Sequence, residues 1–311
     1  MEPLQRILVV IDPTVDKDFV VDRARLMAVS TGARIRFFIN NSNTLSGSSR
    51  FEYEGIDGEF FEKQRKMFVD HHLHRLQALV KEFNGLTGPS GNPVQCDQEF
   101  TEAPDLTDSI IRQVEAWKPD LMLKSTHHHG VLKRTLITNT DWQLIRNCPC
   151  PMLLVKPEPW RDKGSIVAAV DPLHVKADQN QLDHRLIQMV EDLSRQLAQE
   201  PRVFHCYFPY PGAMFPAFIE STTQLEEIFR VHKAKLAELM SSHPIPDDNI
   251  EIVRGDLVPS LIHYLKRVNA NALVIGSLSR NFLERAIVGN TAEKILDDCP
   301  CDVLVIKSRV G

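Results

Sequence analysis

Short, branched apolar runs recur along the chain, separated by longer stretches in which apolar residues fall at helical spacing. In the first half ILVVI (7–11), RIRFFIN (34–40), PVQCDQEF (93–100), LMLKS (121–125) and PMLLVK (151–156) read as strands. Between them, 16–32, 59–85, 105–117 and a stretch from about 132 to 146 carry the 3.6-residue period. Gly32 and Gly85 stand where helix ends are expected, and Asp and Thr open the 105–117 segment as start signals. The second half repeats the order. Strands are predicted at 165–170, 202–208, 249–254, 272–276 and 302–307, with helices at 181–199, 223–241, 258–268 and 283–297.

Strands that are apolar on both faces, alternating with helices, predict right-handed crossovers and a parallel sheet covered on both sides. The predicted class is α/β, as two tandem five-stranded, doubly wound, Rossmann-like domains. Internal similarity supports the division. RILVVIDP (6–13) resembles SIVAAVDP (165–172), so that Asp12 matches Asp171. NTDWQLIRNCPCPMLLVK (139–156) aligns without a gap to NTAEKILDDCPCDVLVIK (290–307), 151 residues on from Cys148 to Cys299. The expected domains are 1–157 and 163–311, joined through the Pro- and charge-rich KPEPWRDKG (156–164).

Composition narrows the partners. A formal net charge of -5 gives no electrostatic reason for nucleic acid or an anionic membrane surface, and no apolar run is long enough to span a bilayer. The six cysteines are sparse for 311 residues and no secretion signal is evident, so reduced thiols and a cytoplasmic location are expected. Each CPC tripeptide (148–150, 299–301) opens a buried strand, and its spacing is not that of CxxC chemistry; core packing is expected there.

In doubly wound sheets ligands bind beyond the carboxyl ends of the strands. In the second half that directs attention to Asp171 and to the loop from Gly276 through Ser277, Ser279, Arg280 and Gly289 to Asn290 and Thr291. Gly276 lacks a Cβ and can admit a ligand to the backbone. The Gly289–Thr291 stretch opens a helix whose free N–H groups suit phosphate, and Ser279 and Arg280 add a hydroxyl and a cation. The spacing Gly276, two residues, Ser279, nine residues, Gly289, Asn290, Thr291, followed by AEKIL and CDVLVIK, resembles the universal stress protein family (UspA superfamily). Both halves resemble it, so the chain is similar to tandem members of the E type.

The resemblance implies an adenine nucleotide alpha hydrolase-like fold. It also implies a nucleotide or phosphorylated-ligand site, with Asp171 at the base and the glycine-rich loop at ribose and phosphates. Ser279 at the second glycine and Asn290 at a Ser/Thr position depart from the ATP-binding pattern, which leaves ATP, a mono- or dinucleotide and other phosphorylated ligands open. The first half departs further: Ser125, His128 and Thr138 occupy all three glycine positions. A degenerate first domain is expected, and two halves able to pair as an intramolecular pseudo-dimer, with a homodimer left open.

Other features fit less well. THHHG (126–130) could supply two zinc ligands, His127 and His129, but no CxxC or HExxH completes a tetrahedral set. His128 in the place of Ser279 marks a displaced loop. His71, His72 and His74 are expected to be solvated on their helix. CYFPYPGAMFPAFIEST (206–222) could form an apolar lid for an amphiphilic ligand. No catalytic motif is present, so at most a weak ATPase is expected. The alternatives are a scaffold without a nucleotide, presenting surfaces to protein partners, and a carrier of an amphiphilic ligand beside 206–222.

Overall fold

The computed structural model describes residues 4–15, 18–41, 58–128, 135–173, 177–208, 222–277 and 290–307. The chain divides into two compact units, one made mainly of residues 2–128 and 136–159 and the other mainly of 160–311. Each is a parallel α/β unit.

In the N-terminal unit β1 (Arg6–Val10) pairs in parallel with β2 (Arg34–Asn40) on one side and β4 (Leu121–Ser125) on the other. β3 (Cys96–Thr101) extends the β2 side, while β7 (Met152–Val155) extends the β4 side. His127–His128 and Thr135–Leu136 form the two-residue strands β5 and β6. Helices α1 (Phe19–Thr31), α2 (Gly58–Asn84), α3 (Leu106–Trp117) and α4 (Asn139–Asn147) lie between the strands in sequence. The C-terminal unit repeats the plan. β8 (Ser165–Ala169) is flanked by β9 (Glu200–Tyr207) and β11 (Ala270–Ser277); β10 (Ile250–Arg254) lies beyond β9, and β12 (Asp302–Lys307) beyond β11. Its helices are α5 (Ala177–Gln196), α6 (Thr222–Met240), α7 (Leu257–Arg267) and α8 (Asn290–Asp298).

Local chemistry sets the ends of these elements. Asp18 caps α1 by accepting the Val20 N–H at 3.1 Å, and Gly32 closes it at φ 73°, a left-handed conformation that costs glycine little. Asp105 accepts the Asp108 N–H at 2.8 Å to start α3. The predicted helix from about 132 instead begins at Asn139, because Thr138 and Asp141 form a capping box that fixes the first turn there. The strand predicted at 93–100 is displaced to Cys96–Thr101. Residues 278–289, within which the predicted 283–297 helix begins, lie outside the described residues.

The central strands are buried on both faces, as their unbroken apolar sequences require: Ile7, Leu8 and Val9 in β1 and Ile166, Val167 and Ala168 in β8 have no exposed surface. Each such Ile, Leu or Val contributes roughly 1.5–3 kcal/mol by leaving water. Among the described residues no helix is long and apolar enough to cross a membrane.

The segment that leads into the C-terminal unit is fastened to it. Trp160 Nε1 donates to Asp302 Oδ2 at 2.7 Å. Asn271 accepts the Arg161 N–H at 2.9 Å, and its amide nitrogen donates to Arg161 O at 2.8 Å and Gln199 Oε1 at 2.7 Å. A Cβ on Gly164 would come within 2.2 Å of the Asn271 amide. Gly164→Ala must therefore push Asn271 out of three hydrogen bonds, and we expect a loss of about 1–3 kcal/mol in the C-terminal unit. Urea denaturation of the variant checks this; an unchanged midpoint would show that Asn271 has room to relax.

Candidate functional site

The carboxyl ends of the strands differ between the two units, and the difference can be read position by position. In the N-terminal unit the polar groups satisfy one another. The Asp12 carboxylate accepts from its own turn, Thr14 N at 2.8 Å and Thr14 Oγ1 at 2.6 Å. Asp18 accepts the Asp12 N–H at 3.2 Å and the Ser125 hydroxyl while capping α1. At the start of α4, where a free helix end would attract an anion, Asp141 supplies the anion itself. Its Oδ2 accepts from Thr138 N and Thr138 Oγ1, both at 2.8 Å, and its Oδ1 pairs with Lys124 Nζ at 2.8 Å. Lys124 and Asp141 are both buried.

The C-terminal unit has neither plug. Ile275 stands at the register of Lys124 and Ala292 at that of Asp141. Asp171, at the end of β8, is exposed and accepts the Leu173 N–H at 3.4 Å. Gly276 lies in β11, and the space a Cβ would need is already taken by Leu182 of α5, whose Cδ2 would lie 2.6 Å away. Its lack of a side chain thus has a packing cause in addition to any ligand. Asn290 and Thr291 begin α8, and Ser277 ends β11. Ser279, Arg280 and Gly289 lie outside the described residues. So does His129; of His127 only the backbone is described, as part of β5. Among the described residues no group of three or more His, Cys, Asp or Glu is placed to hold a metal ion.

Three side chains beside Asp171 had not been singled out in the sequence. Asp183 on α5 is 4% exposed, and its Oδ2 has no hydrogen-bond partner among the described residues. Burial is the main cause that pushes its carboxyl up to about 7; the charge of Asp171 acts in the same direction, and a backbone hydrogen bond from Asp171 opposes it. His205 on β9 is 1% exposed. Its Nδ1 lies 3.0 Å from Val170 O and its Nε2 lies 2.8 Å from Nδ1 of His232 on α6. Tyr207 stacks on His232 with centroids 4.5 Å apart. Comparing the halves could have found these residues. Ile11 N bonds Phe38 O as Val170 N bonds Phe204 O, so His205 occupies the place of Ile39. Asp183 takes the place of the buried Asp18: each accepts a backbone hydrogen bond from the aspartate that follows the first strand of its unit, Asp171 and Asp12.

His72 on α2 corrects the expectation of a solvated histidine: it is 4% exposed, and its Nδ1 has no partner among the described residues. Burial, with smaller effects from His71 and Arg75, lowers its pKa. A second imidazole chain in the C-terminal unit runs from His184 Nδ1 to His243 Nε2 at 2.9 Å and from His243 Nδ1 to Glu191 Oε1 at 3.0 Å, fastening the turn after α6 to α5.

The cysteines behave as core. Cys148 and Cys150 have Sγ atoms 3.7 Å apart, Cys299 and Cys301 3.5 Å apart, and all four are buried thiols. Burial pushes the Cys96 thiol up to about 12 and raises that of Cys206, so neither is poised as a nucleophile. In the 206–222 stretch, Phe208 is well exposed beyond β9, and 209–221 lie outside the described residues.

The model of the "Universal stress protein family" matches twice, over residues 3–156 and 166–307. The chain belongs to the universal stress protein family. It carries two domains of that family in tandem. It is 29% identical over 313 residues to Universal stress protein E of Photorhabdus laumondii, covering 99% of this chain and 96% of that one. To the Escherichia coli K12 protein of the same name it is 27% identical, covering 99% and 95%. Among solved structures it resembles a universal stress protein from Archaeoglobus fulgidus, with a TM-score of 0.62 at 14% identity, covering 97% of this chain and 96% of that one. At that identity the likeness supports the family fold and no more.

Proposed function

We propose that this tandem universal stress protein binds a nucleotide or another phosphorylated metabolite in its C-terminal domain (163–311). The N-terminal domain (1–157) has given up that role. The observation that carries the reading is the contrast at the two helix starts. At α4 a carboxylate and a buried lysine already occupy the anion position; at α8 the same registers hold Ala292 and Ile275. With no carboxylate at the Asp141 register, and the first-turn Glu293 one position further on, the free N–H groups at this helix start remain available to phosphate. Asp171, Gly276, Ser277, Ser279, Arg280, Gly289, Asn290 and Thr291 form the proposed site, with Asp171 at the end away from the phosphates. ATP is one candidate, and the substitution of Ser279 for the second glycine favours a ligand with fewer phosphates.

Isothermal titration of the full chain with AMP and ATP tests the proposal. Binding should be detectable below millimolar concentration. Asn290→Asp, which adds a like charge at the phosphate end, should weaken it about tenfold or more. No binding of either nucleotide at millimolar concentration would overturn the reading.

A further inference from the structure

The C-terminal unit buries polarity that its twin does without. Where the N-terminal unit has Ile39, this unit has His205, and the helix histidine is common to both: His72 and Leu76 on α2 recur as His232 and Leu236 on α6. His72 keeps an Nδ1 with no partner among the described residues. Facing His205, His232 is bonded. The fold therefore accepts either arrangement, and the buried imidazole pair is not a requirement of the sheet.

Its protons can be assigned by elimination. A carbonyl oxygen can only accept, so His205 donates from Nδ1 to Val170 O at 3.0 Å. Neutral His205 then holds a lone pair on Nε2, and His232 must donate to it from Nδ1 at 2.8 Å. His232 is left with a bare lone pair on Nε2, on the ring edge away from the buried His205. The ring is half-buried, and Nε2 has no partner among the described residues. Tyr207, at an interplanar angle of 26°, fixes its plane. Burial first, and the neighbouring His205 second, lower the pKa of His232 and favour the neutral ring, against an opposing effect of Asp171.

We infer that His232 Nε2 is a ligand-binding acceptor of the C-terminal site, taking a hydrogen bond from an N–H donor on an aromatic base, such as an exocyclic amine. Two acceptors, this nitrogen and the Asp171 carboxylate, repel phosphate and suit an amine. The flat Tyr207–His232 pair suits a planar ring. The proposed site thus has a donor-seeking end at β8 and β9 and an anion-seeking end at α8. This inference rests on the nucleotide reading above and adds the group that recognises the base.

The test compares AMP with purine riboside 5′-monophosphate, which differs only in lacking the 6-amino group, by titration calorimetry on the full chain. AMP should bind about tenfold more tightly, the size expected for one hydrogen bond to a desolvated partner, and His232→Phe should erase the preference. Histidine 15N spectra give an independent readout that needs no variant: free His232 should show the Nδ1–H tautomer, and AMP should shift Nε2. Equal binding of the two nucleotides, or an Nε2–H tautomer in free protein, overturns the inference and leaves the nucleotide reading standing. Failure of both to bind at millimolar concentration overturns both.

Discussion

Lys124→Met should cost the N-terminal unit about 3–5 kcal/mol. The lysine ammonium is the countercharge of Asp141, a carboxylate with no exposed surface, at 2.8 Å. Removing the cation leaves the anion buried against a helix start that satisfies only its other oxygen, through Thr138. The double variant Lys124→Met/Asp141→Leu should recover most of the loss, retaining a deficit of about 1 kcal/mol for the missing capping box. Calorimetric melting of the two variants beside the parent measures the difference. A single-variant loss below about 1 kcal/mol would mean that water reaches Asp141 once the lysine is gone. The same pair bears on function, since an internal carboxylate at the anion position of α4 competes with any phosphate that would approach it.

Much of this was legible in the sequence because it depends on short-range patterns. The double-sided apolar strands, the left-handed stop at Gly32 and the repeat of Asp12 at Asp171 each follow from a few adjacent residues, and the structure agrees on all three. The α4 boundary was misplaced because apolar spacing continued back through Val131 and Leu132, whereas the helix start is set by a single reciprocal pair, Thr138 and Asp141. Gly276 could be read from sequence only as a backbone kept open for a ligand; that Leu182 fills its Cβ space depends on how closely α5 lies on β11. Asp183 and His205 were missed for a related reason. On α5 and β9 they occupy positions that periodicity assigns to core, and a polar residue there looks like noise until its twin is found: Ile39 shows that the place of His205 is apolar elsewhere, and Asp18 shows that the place of Asp183 is a buried aspartate in both units.

Asp183→Asn should make the C-terminal unit more stable at pH 8 and leave it almost unchanged at pH 4. The direction follows from linkage. Burial raises the folded carboxyl from the ordinary 3.8 to about 7. Below about pH 4 it is protonated in both states and carries no penalty. Between roughly pH 4 and 7 the unfolded chain ionises first, so stability is lost as pH rises, and above about 7 the loss is complete. A shift of about three units corresponds to about 4 kcal/mol, at 1.36 kcal/mol per unit. Asparagine matches the shape, still accepts the Asp171 N–H and cannot ionise, so the wild-type minus variant difference should fall through that window and then level off. Urea denaturation at pH 4.5, 6 and 8 reads it; a pH-independent difference would mean that Asp183 is hydrated and ordinary. The N-terminal unit keeps a buried aspartate at the same place, Asp18, which accepts the Asp12 N–H. Asp18 is also engaged by the Ser125 hydroxyl and the start of α1, whereas the Asp183 Oδ2 has no partner among the described residues, and we expect that oxygen to serve the ligand: the variant that gains stability should also bind AMP more weakly.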